Sequence, residues 1–263
     1  MALTNRHALK KIDKVIRNVI IAILVLILIL AIGFKLYTVR SYRADNNSIA
    51  EIEQNVGDDV QTFSDKDVVV FVPTKEAAKA IIVFYPGGKV QYTAYSGLMY
   101  ELAQKGYVCL LPRMPENLAF LRMNAVDLIK DKYSDRTKES ENLNWYMAGH
   151  SLGGVAASQY LADQEDGSYA GIILCASYTT TDFSNRDIRL LSIYGSEDKV
   201  LNMEGYENSR AFWPADSEEY VIQGGNHAGF GSYGEQSGDG EATISNIQQI
   251  KETADLIEKF IDG

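Results

Sequence analysis

Histidine and cysteine are scarce in this chain: three of the former and two of the latter in 263 residues. Cys109 and Cys175 sit inside the apolar runs YVCLLP and GIILCAS, which read as buried strands. Neither belongs to a CxxC pair or a Cys/His cluster, so nothing points to zinc or to a disulfide framework. The segment GSYGEQSGDG, residues 231–240, lacks the alternating carboxylates of a calcium loop. No metal and no cofactor is expected. Basic residues are also few beyond the first 34 positions, where 20 Lys and Arg face 34 Asp and Glu, a net charge of −14. Such a surface repels a phosphate backbone, which excludes nucleic acid as a partner. Internal repeats and low-complexity tracts are absent. What remains, 46% apolar and 23% charged residues, is ordinary for a globular domain with a sizeable core.

One long uncharged run stands apart. Residues 19–34, VIIAILVLILILAIGF, carry no charge over 16 positions, with apolar residues on either side. That approaches the ~20 residues needed to cross a bilayer, and a soluble helix is rarely apolar on every face. Arg6, Lys10, Lys11, Lys14 and Arg17 precede the run and Lys35, Arg40 and Arg43 follow it. The heavier basic load lies N-terminal. The expected organisation is a cytoplasmic leader (1–18), a single membrane anchor (19–39), a polar juncture (40–59) and an extracellular domain (60–263). A signal peptide cut near Ala31-Ile32-Gly33 is the alternative, although the leader is long for one.

From about residue 60 short apolar runs alternate with helical patterns. Strands are expected at 67–73, 80–86, 107–112, 144–151, 170–177, 189–196 and 218–225. Helices are expected at 95–106, 116–133, 152–164, 205–212 and 244–262. This alternation predicts an α/β fold, a mostly parallel sheet with helices on both faces. The tightly joined pair Val60–Phe63 and Asp67–Val72 is expected to form an antiparallel edge.

The segment GHSLGG, 149–154, places Gly149-x-Ser151-x-Gly153 between a strand and a helix. This is the pattern of a nucleophile elbow, whose glycines keep side chains away where strand and helix nearly touch. Ser151 would project above the sheet, and the Leu152 N–H would face a developing oxyanion. A serine hydroxyl needs a base. His7 lies before the apolar run, and His150 should point away from its neighbour and pack behind the elbow. His227, in GGNHAGFG after the strand EEYVIQGG, is left as the base. A carboxylate must orient that imidazole. Asp198, on the loop YGSEDKV, is the candidate, with Glu197 its competitor and Asp182 and Asp187 more remote choices. A second oxyanion donor is expected from YPGGKV, at the N–H of Gly88 or of Lys89.

The order Ser151, Asp198, His227 with an elbow and a glycine loop resembles the alpha/beta-hydrolase superfamily. YPGGKV, PRMPENLAF, AGHSLGG, GSEDKV and GGNHAGFGSYGEQSGDG resemble more narrowly a bacterial branch related to dienelactone hydrolases. That family is expected to use a cysteine where this chain has Ser151, which separates it from a dienelactone substrate. The resemblance covers roughly residues 60–262 and implies ester or lactone hydrolysis through an acyl-enzyme. Thioesterase, peptidase or acyltransferase chemistry, or a non-catalytic binding domain on the same fold, are the alternatives. Only about a dozen residues, SYTTTDFSNRDI, connect the strands ending at Ser177 and starting at Arg189. They leave no room for a lid, so an open site shaped by Met114, Pro115, Phe120 and Phe230 is expected. The expected partners are a small ester and the membrane.

Overall fold

A computed structural model describes residues 2–133 and 143–263. Side chains of residues 2–13, including Arg6, His7, Lys10 and Lys11 of the basic leader, lie outside the described residues. The chain divides into two compact units, Met1–Arg40 and Ser41–Gly263. The first is one helix, α1 (Ala2–Val39). Its stretch Lys14–Val39 is 26 residues long, contains an 18-residue window with a mean hydropathy of 3.1, and is long and apolar enough to cross a membrane. At ~1.5 Å per residue it exceeds the ~30 Å hydrocarbon thickness.

The second unit opens with a feature absent from the sequence expectations. Residues 40–59 are not a bare juncture: they contain α2 (Asn46–Val56), capped by Asp45, which accepts the Asn47 N–H, and stopped at Gly57. Ile52 and Val56 of α2 are buried in the core. Tyr42 is stitched in as well: its N–H donates to Lys89 O and its carbonyl accepts from Gln91. The segment has few apolar residues, but Ile49, Ile52 and Val56 fall at helical spacing and form the buried stripe.

Among the described residues, eight strands form one sheet. These are β1 (Val60–Ser64), β2 (Val68–Pro73), β3 (Ala80–Tyr85), β4 (Tyr107–Pro112), β5 (Asn144–His150), β6 (Gly171–Cys175), β7 (Arg189–Gly195) and β8 (Asp216–Ile222). Their order is β1-β2-β4-β3-β5-β6-β7-β8. The pairs β1–β2 and β2–β4 are antiparallel and all others parallel. Alternation along each strand feeds two cores. Ile82 and Phe84 of β3 face one core with α2, α3 (Ser96–Gln104) and α7 (Asn246–Asp262). Ile81, Val83 and Tyr85 face the other with α4 (Ala125–Tyr133) and α5 (Leu152–Ala162). A short α6 (Met203–Ser209) joins β7 to β8. Both faces are covered, which explains why β3 and β6 are apolar throughout.

The helix expected over 116–133 begins only at Ala125. Glu116 and Asn117 adopt φ of 51° and 55°, and Leu118 is extended. The chain passes instead through two 3₁₀ turns, Pro115–Asn117 and Ala119–Leu121. The Asn117 carbonyl is thereby turned to accept the Lys89 N–H at 2.8 Å.

Two stability outcomes follow from this packing. Ile52 is fully buried, and a Cβ on Gly97 of α3 would meet its Cδ1 at 2.7 Å. Ile52→Ala should cost about 2–5 kcal/mol in urea unfolding, whereas a helix dispensable to the domain would show almost no change. Glu101 of α3 is also buried, and burial outweighs the attraction of Lys251 and Lys105 to hold its carboxyl above the usual range. A raised carboxylate pKa means the ionised form weakens the fold, so stability is lost as pH rises through the folded value. Glu101→Gln should raise the melting temperature at pH 7, and the gain should vanish below about pH 4, where the unfolded carboxyl is protonated as well. Equal melting temperatures at pH 7 would contradict this.

Candidate active site

Strand β5 ends at His150, and α5 starts at Leu152, leaving one residue for the reversal. That residue, Ser151, takes φ 50° and ψ −125°, a left-handed backbone that a side chain rarely adopts. The glycines explain how it is reached. A Cβ on Gly149 would lie 2.6 Å from the Gly153 carbonyl carbon, and one on Gly153 would strike the carbonyl oxygens of Tyr85 and Pro86. Strand, helix and the end of β3 therefore touch backbone to backbone. The Ser151 N–H donates to Cys175 O at 2.9 Å, and the Ser177 hydroxyl donates to Ser151 O at 2.7 Å. The turn is held from both sides.

The loops after β7 and β8 supply the other groups. His227 Nδ1 donates to Asp198 Oδ2 at 2.9 Å, with side-chain exposures of only 2% and 1%. Asp198 Oδ1 accepts the N–H groups of Val200 and Leu201, both at 2.8 Å. The carboxylate is thus fully hydrogen-bonded although buried, as a buried charge requires. His227 Nε2 is buried and has no hydrogen-bond partner, Ser151 Oγ included. Glu197 instead accepts from the adjacent Ser196 hydroxyl, and Asp182 and Asp187 are exposed.

The backbone donors also separate. The Lys89 N–H is taken by Asn117 O and the Gly87 N–H by the Tyr95 hydroxyl at 3.0 Å. The N–H groups of Gly88 and Leu152 have no acceptor within the described residues. These two residues adjoin: a Cβ on Gly88 would lie 2.8 Å from Leu152 Cδ2.

The expected pocket residues fare differently. Phe230 is fully buried, its ring 5.6 Å from that of His150, so it is a packing residue rather than a pocket wall. Met114 is also almost entirely buried and gives only an edge to a cavity of about 600 Å³ beside Pro115 and Asn117. Phe120 lines a separate cavity of about 650 Å³ with Leu121 and Gln159. Ser151 borders neither cavity. Two leucine side chains are exposed, which was not foreseen from sequence: Leu152, expected only as a backbone donor, at 39%, and Leu121 at 50% on a turn packed against α5. Among the described residues, no group of three or more His, Cys, Asp or Glu is placed to hold a metal ion.

Sequence reading also missed how the two loops are joined. Asp239, in the glycine-rich segment, accepts the Ala228 N–H at 2.8 Å through Oδ2 and the Lys199 N–H at 3.3 Å through Oδ1. It therefore grips the residue after His227 and the residue after Asp198. Gly240 presses so closely on the Glu197 carbonyl that no side chain fits there. Gln249 of α7 holds Asn226 by both of its backbone groups, at 3.0 and 2.7 Å. Removing this grip should loosen the His227–Asp198 bond. Asp239→Ala is expected to broaden or abolish the downfield proton resonance of His227 Nδ1–H. A resonance as sharp as in the wild type would show that the loops hold without Asp239.

A model described as the alpha/beta hydrolase family matches residues 81–251, roughly 65% of the chain, from the start of β3 into α7. No curated protein matches. The matched segment contains the elbow, both loops that carry the buried pair and all the parallel strands between them, and the chain belongs to the alpha/beta hydrolase family.

Proposed function

We propose that the protein is a membrane-anchored serine hydrolase that cleaves carboxylic esters or lactones through an acyl-enzyme on Ser151. One observation carries the reading: a buried His227–Asp198 pair with a free Nε2, on loops at the same sheet edge as the elbow of Ser151. Asp198 holds the proton on Nδ1 and so leaves Nε2 as a base. Nε2 takes the Ser151 proton as Oγ attacks the carbonyl carbon. The oxyanion accepts the N–H groups of Leu152 and Gly88, which have no acceptor among the described residues. The imidazolium returns its proton to the leaving oxygen, and the C–O bond breaks. Water, deprotonated by the same nitrogen, then attacks the acyl carbon and releases the acid. In a lactone the leaving oxygen stays attached, and one ring-opened product results.

The narrower likeness to dienelactone hydrolases fits a small carbonyl substrate, with serine in the place of cysteine. Exposed Leu152 and Leu121 favour an apolar acyl group at an open mouth. The basic leader ahead of the apolar run favours a cytoplasmic N-terminus and a catalytic unit outside the cell. With p-nitrophenyl acetate, Ser151→Ala should lower kcat by about 10⁴–10⁶-fold and Asp198→Asn by about 10⁴-fold. A fluorophosphonate should label the wild type at Ser151. Undiminished turnover in purified Ser151→Ala would end this reading.

A further inference from the structure

Behind the elbow lies a second histidine that the mechanism above does not use. His150 is 1% exposed, and its Nδ1 lies 2.8 Å from the hydroxyl of Tyr95, which is itself fully buried. The same hydroxyl accepts the Gly87 N–H at 3.0 Å. Gly87 precedes the proposed oxyanion donor, and His150 precedes the proposed nucleophile. A Cβ on Gly87 would lie 2.7 Å from both His150 Nδ1 and the Tyr95 oxygen, so the three groups fit only because position 87 has no side chain. The ring of His150 lies against that of His227, with centroids 4.6 Å apart and planes tilted by 53°.

We propose that Tyr95 and His150 form a positioning pair that ties the oxyanion loop to the nucleophile elbow and backs the ring of His227. This rests on the reading of Ser151 as nucleophile. One direction of the bonds gives the Tyr95 proton an acceptor. Tyr95 accepts from Gly87 and has one proton of its own to give, and burial keeps that phenol protonated. Given to His150 Nδ1, that proton makes Nδ1 the bare nitrogen and puts the proton of the neutral ring on Nε2, a buried atom without a hydrogen-bond partner among the described residues. Burial, and after it the adjacent His227, hold His150 well below the ordinary imidazole range, so the ring stays neutral. A charged imidazole beside His227 would oppose formation of the imidazolium during turnover. The relay Gly87 N–H to Tyr95 O–H to His150 Nδ1 leaves no slack between the two loops. Tyr95 is itself fixed at the start of α3, its ring 5.1 Å from that of Phe84.

Two measurements on the full chain in detergent test this. Tyr95→Phe keeps the ring and deletes the relay. With p-nitrophenyl acetate, kcat should fall about 10–100-fold while KM stays within twofold. A kcat within threefold of wild type, or a change in KM alone, would overturn the pairing. Independently, ¹⁵N-histidine spectra of the wild type should show His150 protonated at Nε2 and bare at Nδ1. The opposite tautomer would also overturn it, whether or not the variant folds. A wild type inert toward both the ester and a fluorophosphonate would instead refute the serine-hydrolase reading, and the tautomer would still report on the pair.

Discussion

The close approach of β5, α5 and the end of β3 is the constraint on which the rest of the site depends. Gly149 and Gly153 allow backbone to touch backbone there, and the price is a left-handed serine between them. A non-glycine residue in that region costs on the order of 1–3 kcal/mol and persists only where its surroundings over-determine it. Here the surroundings do so. Ser151 is gripped by Cys175 and Ser177 from the neighbouring strand end, and His150 is gripped from below by Tyr95. Lys89, Glu116 and Asn117, also at positive φ, adjoin the same edge, where Lys89 N–H meets Asn117 O. Strain is thus concentrated where the chain reverses above the sheet.

A parallel sheet delivers every such loop to one edge. β5, β6, β7 and β8 run side by side in the same direction, so the residues after His150, Gly195 and Ile222 emerge together. The remaining problem is to hold two loops in register while a charge is buried between them. The protein solves it with hydrogen bonds to backbone rather than with apolar packing. Asp198 accepts two N–H groups besides His227, Asp239 spans both loops, and Gln249 reaches up from α7 to hold Asn226. Breaking a buried, hydrogen-bonded charge pair by removing one partner costs far more than the pair itself contributes. That asymmetry means a single substitution among these partners is enough to loosen the arrangement.

Much of this was legible in the chain. The strand pattern predicted the sheet and its antiparallel edge, because double-covered strands read as continuous apolar runs. GHSLGG predicted the turn at Ser151, because only that glycine spacing permits it. Long-range hydrogen bonds were not legible. Asp239 looks like one more acid in a glycine-rich loop until its two N–H partners are seen, and Tyr95 looks like the first apolar residue of a helix. Residues 40–59 were read as a juncture because their buried stripe has only three members, too weak a period to outweigh the polar majority. Phe230 was read as a pocket wall because a neighbour of His227 in sequence need not face the same way, and its ring turns inward onto His150.

The account stands or falls on Ser151, His227 and the N–H groups of Leu152 and Gly88 converging on one reacting atom. The most direct measurement is a crystal structure of residues 41–263 after reaction with a fluorophosphonate. The account predicts phosphorus bonded to Ser151 Oγ, the phosphoryl oxygen within hydrogen-bond reach of both N–H groups, and His227 Nε2 facing the adduct. A phosphorylated Ser151 whose phosphoryl oxygen points to solvent, with His227 turned away from it, would contradict the account.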